Sequence, residues 1–375
     1  MTRSHFVTGA TGFVGSGLVL KLVQQSEDKV YCLVRPKRDI SAEDRLFNLL
    51  ETLVDAYNLP VALTQKAKKQ IIVIEGDLDI QKNQLPSSLH VVDYLWHIAA
   101  SLNYEDRHKE EIFGTNIEGT KSIIALAQEL KVNCFHYFST AYVVGKNNGK
   151  ILEVNIEKTD SNNLYEQSKV IAEKLVTSSS LNYRIFRPSI VIGHHQTAEA
   201  INFSGLYGFL RRLVQFKGMM ERVQKGYIDN NSVKMCIDPD VPLNLVPIDM
   251  VVSHAVKIGL SNSPERIFHL TNPNVLSMEE SLDIVFISAG LGKPEFVDSK
   301  GSYNWIDEKF SEKVEFYNSY FVGEKIFDRT FSDTAINQFD HQQYAINKDN
   351  LMRYCDWYVN LITNTKARKS LPTSR

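Results

Sequence analysis

Tyr165 and Lys169 stand four residues apart in the run NLYEQSKVIAEKL, a spacing that puts both on one face of a helix. A phenol titrates near pH 10 when unperturbed, at about the same place in most peptides. A lysine ammonium beside it favours the phenolate and so makes the phenol a better acid near neutrality. Upstream, the stretch FSTAYVVG closes a strand-like run with Ser139 and Thr140. A hydroxyl that orients an oxygen, a phenol that gives a proton and a lysine that tunes it suit carbonyl reduction by nicotinamide hydride. Thr140, Tyr165 and Lys169 are therefore the expected catalytic set. A second Tyr/Lys pair at the same spacing, Tyr142 and Lys146, is interrupted by Gly145 and follows a strand end, so it reads as loop. Ser139 adjoins Thr140, but strand alternation turns its side chain to the opposite face.

A nicotinamide needs a phosphate cradle, and HFVTGATGFVGSGLVLKLV offers one. Gly9, Gly12 and Gly15 fall three apart directly behind an apolar run. Glycine reaches positive φ and lets another molecule approach the backbone, and a helix starting there presents free N–H groups to an anion. Behind the second strand-like run stands LVRPKR, with Arg35 followed by Lys37 and Arg38 and with no acid. An acidic residue there would accept from a ribose 2′-hydroxyl, whereas arginine accommodates a 2′-phosphate. NADP(H) is the expected cofactor. Gly76-Asp77-Leu78 follows the third run, putting a carboxylate within reach of an adenine amino group, and the small Ala99 and Ala100 follow the fourth.

These groups demand a scaffold that brings strand ends together. Strand-like runs at His5–Thr8, Val30–Val34, Gln70–Glu75, Val92–Ala99, Cys134–Ser139 and Tyr183–Arg187 alternate with helical periodicity near Gly15–Gln25, Ala42–Ala56, Thr115–Leu130 and Leu164–Ser178. That rhythm predicts an α/β fold, a doubly wound parallel sheet of Rossmann type whose ligand lies outside the carboxyl ends of the strands. Beyond Gly193 the rhythm breaks into an irregular stretch holding the amphipathic SGLYGFLRRLVQF. LNLVPIDMVVSHAVKIG and IFHLTN then read as a return to strand-like sequence. The expected division is a cofactor domain over 1–192 with a contribution from 243–271, a smaller C-terminal substrate-binding lobe over 193–242 and 272–365, and a disordered tail over 366–375.

The chain has 375 residues, 43% hydrophobic and 23% charged, with a formal net charge of −2. That balance gives no electrostatic case for nucleic acid. No apolar run approaches the roughly 18 residues of a membrane span, and the N-terminus enters the first strand without a signal-like segment. Four cysteines, Cys32, Cys134, Cys236 and Cys355, lie far apart, which favours reduced thiols over disulfides or a zinc site. The expectation is a cytoplasmic protein with no metal.

Taken in order, TGATGFVG, GDL, HIAAS, STAYVVG, YEQSK and RPSIVIG resemble the extended short-chain dehydrogenase/reductase family over about residues 2–271. CLVRPKRDISAEDRL, HIAASLNY, GTNIEGTKSIIALA, YEQSKVIAEKLV and LVPIDMVV are similar to its thioester-reductase and fatty-acyl-CoA-reductase branch. The resemblance implies Thr140, Tyr165 and Lys169 as catalytic groups. It implies a cofactor site lined by Gly9, Thr11, Gly12, Phe13, Val14, Gly15, Arg35, Arg45, Asp77, Leu78, Ala99, Ala100, Asn116, Tyr165, Lys169, Pro188, Ser189 and Ile190. Ser101, Asn103, Ala141 and Tyr142 are its substrate-side candidates. Asn116 rests on the resemblance, since a polar residue opening a helix also serves structure. The implied reaction is NADPH-dependent reduction of an acyl thioester to the aldehyde, or on to the alcohol. With no carrier domain preceding it in this sequence, the acyl group is expected on CoA or a separate carrier protein.

STAYVVG also resembles the sugar-nucleotide epimerase pattern, so a ketone, aldehyde or nucleotide sugar remains an alternative substrate, with Arg211 and Arg212 as cations for a diphosphate. A cofactor-binding sensor without turnover is a third reading, opposed by the intact Thr/Tyr/Lys set. His194–His195 has no second pair at ligand spacing, and the apolar spacing of Leu206–Phe216 fits core packing as well as an acyl chain.

Overall fold

The computed structural model describes residues 2–37, 39–87, 89, 91–157, 159–226, 231–321, 323–336 and 342–364. The expected disordered tail and Arg38 lie outside them. Seven parallel strands form the central sheet: β1 (Ser4–Thr8), β2 (Lys29–Val34), β3 (Ile71–Glu75), β4 (Tyr94–His97), β5 (Cys134–Phe138), β6 (Tyr183–Pro188) and β7 (Ile267–Leu270). Their spatial order is β7-β6-β5-β4-β1-β2-β3. The chain reverses direction across the sheet between β1 and β4, where Thr8 pairs with Leu33 on one side and His97 on the other. Loops leaving those two strands diverge, and the crevice between them is where such sheets bind ligands. This is the doubly wound α/β architecture the sequence predicts.

The strands are near-continuous apolar runs because helices cover both faces; every residue of β5 is buried. The helices flanking or following the strands are α1 (Phe13–Gln25), α2 (Ala42–Ala56), α3 (Ala62–Gln70), α4 (Gly119–Leu130) and α5 (Leu164–Thr177). Asn163 opens α5 by accepting from the Glu166 amide at 2.9 Å, a strong N-cap. The helix expected from Thr115 begins instead with a π-helical turn, Gly114–Glu118, that runs into α4.

A second apolar core builds the late lobe from α6 (Leu206–Val223), α8 (Met278–Ser288), α9 (Trp305–Val314) and α10 (Lys348–Thr363) around Phe209, Phe216, Phe286, Phe310 and Tyr358. Between these elements, α7 (Ile248–Gly259) belongs to the sheet half. The strand-like reading of LNLVPIDMVVSHAVKIG is corrected here: only Leu245–Pro247 is a strand, and the rest is α7. Ten of its twelve residues are buried, so no polar face interrupts the β-branched run to reveal a helical period. Its start packs so closely on α1 that a Cβ on Gly17 would lie 3.3 Å from Val252. Two short parallel ladders stitch late segments onto early ones: Leu245–Pro247 on Ile190–Ile192, and Lys325–Phe327 on Gly149–Ile151. All four cysteines are free. Among the described residues no helix is long and apolar enough to cross a membrane.

Candidate active site

The turn after β1 is shaped by what glycine permits. Gly9 has φ +73°, and a Cβ on it would lie 2.6 Å from the Ala99 amide nitrogen. A Cβ on Gly15 would strike the Gly9 carbonyl oxygen. The loops after β1 and β4 thus touch backbone to backbone. Helix α1 begins at Gly12 with no side-chain cap and no acid in its first turn, leaving amide N–H groups and the positive end of its dipole toward the crevice. Those features fit a dinucleotide pyrophosphate.

A cavity of about 650 Å³ starts at this turn and runs the length of the strand ends into the lobe. At one end Arg35 closes on Asp77, Nη1 to Oδ2 at 3.5 Å, both mostly exposed. Arg45 donates to the Arg35 carbonyl oxygen and to Thr11 Oγ1 at 3.5 Å. Burial, then the charge of Arg35, lowers the pKa of Arg45. Two cations crowd one edge with a loosely held carboxylate, which suits an anionic ligand group there.

Midway lie the groups with reactive chemistry. Lys169 is carried by α5 one turn past Tyr165, and its Nζ donates to the Phe138 carbonyl at the end of β5, 2.8 Å away. That nitrogen is 6.0 Å from the Tyr165 ring centroid and 4.9 Å from that of Tyr137. Burial brings the Lys169 ammonium down to about 7, against the pull of Glu173. Burial also pushes the Tyr165 phenol up, and Glu166 adds to the shift. The expected acidification of Tyr165 by its lysine is therefore outweighed: desolvation favours the neutral form of both groups. A neutral phenol at physiological pH is a proton donor. Thr140 Oγ1 accepts from the Tyr142 amide at 3.2 Å, which leaves its own O–H to donate. Ser139, expected to face away, also lines the cavity, with its Oγ buried and lacking a hydrogen bond among the described residues.

The cavity wall brings together Gly9, Thr11, Gly12, Phe13, Val14, Gly15, Arg35, Arg45, Asp77, Leu78, Ala99, Ala100, Thr140, Tyr142, Tyr165, Lys169, Pro188, Ser189 and Ile190. Four expected residues stand outside it. Asn116 is buried behind the wall, accepting from the Ser101 amide at 2.7 Å and donating to Ser168 Oγ at 2.9 Å. Ser101 and Asn103 both donate to Glu111 at 2.9 Å, so that carboxylate draws them away from the crevice. Ala141 is fully buried in the turn after Thr140.

The sequence points to a substrate-binding lobe and weighs Leu206–Phe216 for an acyl chain, but it singles out none of the lobe residues that line the cavity. Phe209, Leu282, Val285, Phe316, Tyr317, Tyr320 and Phe321 line the far end of the cavity. Tyr320 meets the Tyr142 ring edge-on at 5.0 Å, and Phe316 stacks on Tyr104. Aromatic richness was the one signal available for them. His194 and His195 lie apart from the cavity, with Asp249; their ligand-capable atoms fall within 4.8 Å of one another. There Asp249 accepts from the His195 amide at 2.9 Å and from its ring.

An NAD-binding family model described as "Male sterility protein" matches residues 7–255. The "Fatty acyl-CoA reductase wat" of Drosophila melanogaster is 29% identical over 286 residues, covering 67% of this chain and 53% of that protein. "Fatty acyl-CoA reductase 2" of Homo sapiens is 25% identical over 317 residues, covering 73% of this chain and 58% of that one. The chain thus spans about half the length of these curated relatives. The crystal structure of the terminal R domain of the myxalamid PKS-NRPS pathway superposes with a TM-score of 0.74 at 22% identity, covering 97% of this chain and 91% of that one. The glycine turn, the reversal between β1 and β4, and the Tyr/Lys helix all fall within the matched residues, and the chain belongs to the male sterility protein family of the extended short-chain dehydrogenase/reductases.

Proposed function

We propose that the protein is an NADPH-dependent reductase of acyl thioesters, carried on CoA or a carrier protein, yielding the aldehyde. One observation carries the reading: a single cavity runs from the glycine turn and its two arginines, past Tyr165 and Lys169, to an apolar aromatic end. The near half suits a dinucleotide, with Arg35 and Arg45 toward a 2′-phosphate. The far half, walled by Phe209, Leu282, Val285 and Phe321, suits an acyl chain better than a polar sugar. In this reading residues 1–192 and 243–271 serve the cofactor, while 193–242 and 272–365 serve the substrate.

When bound, the nicotinamide supplies hydride to the thioester carbon. Tyr165 and Thr140 direct their O–H groups at the oxygen that gains charge, and Tyr165 gives it a proton. Lys169, fixed by the Phe138 carbonyl, steadies the phenol and supplies positive charge when protonated. Breaking of the C–S bond returns the hydroxyl proton to the Tyr165 phenolate, and the departing thiolate takes a proton from solvent, leaving aldehyde and free thiol.

The test is stoichiometry. NADPH oxidation with an acyl thioester is matched one to one by free thiol in a colorimetric assay, or two to one if reduction continues to alcohol. Robust NADPH oxidation on a ketone or sugar nucleotide, with no thiol from any thioester, would overturn the reading.

A further inference from the structure

Helix α6 carries two consecutive arginines with different surroundings. Arg211 is engaged within the lobe: its Nε donates to the Tyr358 hydroxyl at 2.8 Å and its guanidinium lies over that ring. Arg212 is exposed and makes no hydrogen bond or ion pair with another described residue. Its charge falls on Tyr317, where it opposes the upward shift that burial imposes on the phenol and does so more than Arg211.

Tyr317 lines the cavity, and so does Gly208, one turn before Arg212 on the same face of α6. A Cβ on Gly208 would strike the Tyr317 hydroxyl. Glycine inside a helix is unfavourable against alanine; here its missing side chain is the notch that receives a phenol. The Tyr317 hydroxyl is hydrogen-bonded to no other described residue. The Tyr317 hydroxyl at the cavity wall and the Arg212 guanidinium one helical turn beyond Gly208 are thus neighbours, and neither has an acceptor among the described residues. Arg35 and Arg45 stand at the sheet end, so this second cationic point is separate from the one assigned to the cofactor.

We propose that Arg212 and the Tyr317 hydroxyl bind the phosphate of the pantetheine arm on which an acyl thioester is delivered. The inference rests on the acyl-thioester reading above. CoA and carrier proteins share that phosphate, and a guanidinium with a neighbouring hydroxyl is a strong receptor for it. The contact holds the arm at the rim while the thioester reaches Tyr165.

Binding tests it without turnover. By titration calorimetry, 4′-phosphopantetheine binds the wild-type protein about tenfold more tightly than pantetheine, the factor expected of one charge-assisted contact. Arg212→Ala removes that preference, Arg212→Lys keeps part of it, and Tyr317→Phe reduces it. In turnover, Arg212→Ala raises KM for acyl-CoA and acyl-carrier protein alike. Equal binding of the two arms by wild type, an undiminished preference in Arg212→Ala, or a KM effect confined to acyl-CoA overturns the inference. The last outcome moves the contact to the nucleotide. Weakened UDP-sugar binding in Arg212→Ala without any preference among the arms likewise overturns it, in favour of a diphosphate site. A protein that prefers the phosphorylated arm but reduces no thioester refutes the reductase reading alone.

Discussion

Two tyrosines near Thr140 differ in their attachment. Tyr142 is held in the turn after β5, its ring packed edge-on against Tyr320 and Phe327. Tyr165 projects from α5 beside a lysine, keeping part of its surface toward the cavity. Tyr165→Phe removes a hydroxyl alone, so the fold and cofactor affinity survive while kcat falls by about 10²-fold or more, the range of general-acid contributions. Tyr142→Phe has a much smaller effect, and the comparison is made by steady-state kinetics on both variants. Lys169 gives a pH signature. Its ammonium is brought down to about 7 in the fold, against a usual value near 10.4, roughly that of a free lysine. Below pH 7 both states bind the proton and the burial cost stands in full. Between those two values the unfolded chain binds more protons than the folded one, so stability rises with pH. His97 is held down to about 3, and Tyr137 and Tyr165 are pushed above their usual values, so none of these titrates in that window. Denaturation of the cofactor-free protein should therefore show wild type gaining on Lys169→Met from pH 7 to pH 9.5; a gap independent of pH would refute the buried lysine.

At the scale of elements, the glycine turn makes an ordered prediction. Gly15→Ala drives a methyl into the Gly9 carbonyl, and Gly9→Ala meets both a positive φ and the Ala99 backbone. Backbone cannot yield as a side-chain tip can. Gly12→Ala brings its methyl to 3.2 Å from the same carbonyl oxygen, a contact a small shift relieves. Cofactor titration and thermal melts should rank Gly12→Ala as the mildest, with the other two losing cofactor affinity by more than about tenfold, the step that 1.4 kcal/mol makes. At the end of β2, Arg35→Ala weakens NADPH by about 1.5–3 kcal/mol, the range for a charged hydrogen bond. The exposure of Arg35 puts the value at the low end, and NADH binding barely changes. Fluorescence titration of both cofactors decides; equal losses would remove Arg35 from the 2′-phosphate. These elements were legible because each signal is local: a glycine spacing, a strand end, two residues on one helical turn. α7 was not, since burial on all sides erased its period. Ser101 and Asn103 were misplaced because Glu111, itself outside any motif, turns them away. The wall of Phe316, Tyr317 and Tyr320 reaches Tyr165 from about 150 residues along the chain, by packing that no neighbouring residue announces.

The whole molecule depends on keeping its two apolar cores in fixed relation, because the cavity is walled by both. Asp249 stands where they meet. It opens α7, which packs on α1 in the sheet half, and its carboxylate accepts from the His195 amide and ring. Arg353, on α10 in the lobe, donates to the Gln196 carbonyl at 2.9 Å and to that of His195. The His194 ring stacks on Tyr57 at the end of α2, and His195 meets Tyr344 edge-on. One loop therefore joins α2, α7 and α10, with a single carboxylate holding its backbone. Asp249→Ala leaves a half-buried amide and a histidine ring without their acceptor, at about 1–3 kcal/mol for each unpaired group. Asp249→Asn keeps an acceptor for the amide and costs less. If the junction couples the cores, the loss is not spread evenly. In Asp249→Ala, hydrogen exchange should accelerate in α6, α8 and α10 at concentrations of denaturant where β1, β4 and β5 remain protected, whereas in wild type both sets exchange together. Thioester turnover should fall while binding of the cofactor's adenosine half persists, since Arg35, Arg45 and Asp77 lie wholly on the sheet side. Uniform acceleration across both cores would show that Asp249 contributes stability without linking them.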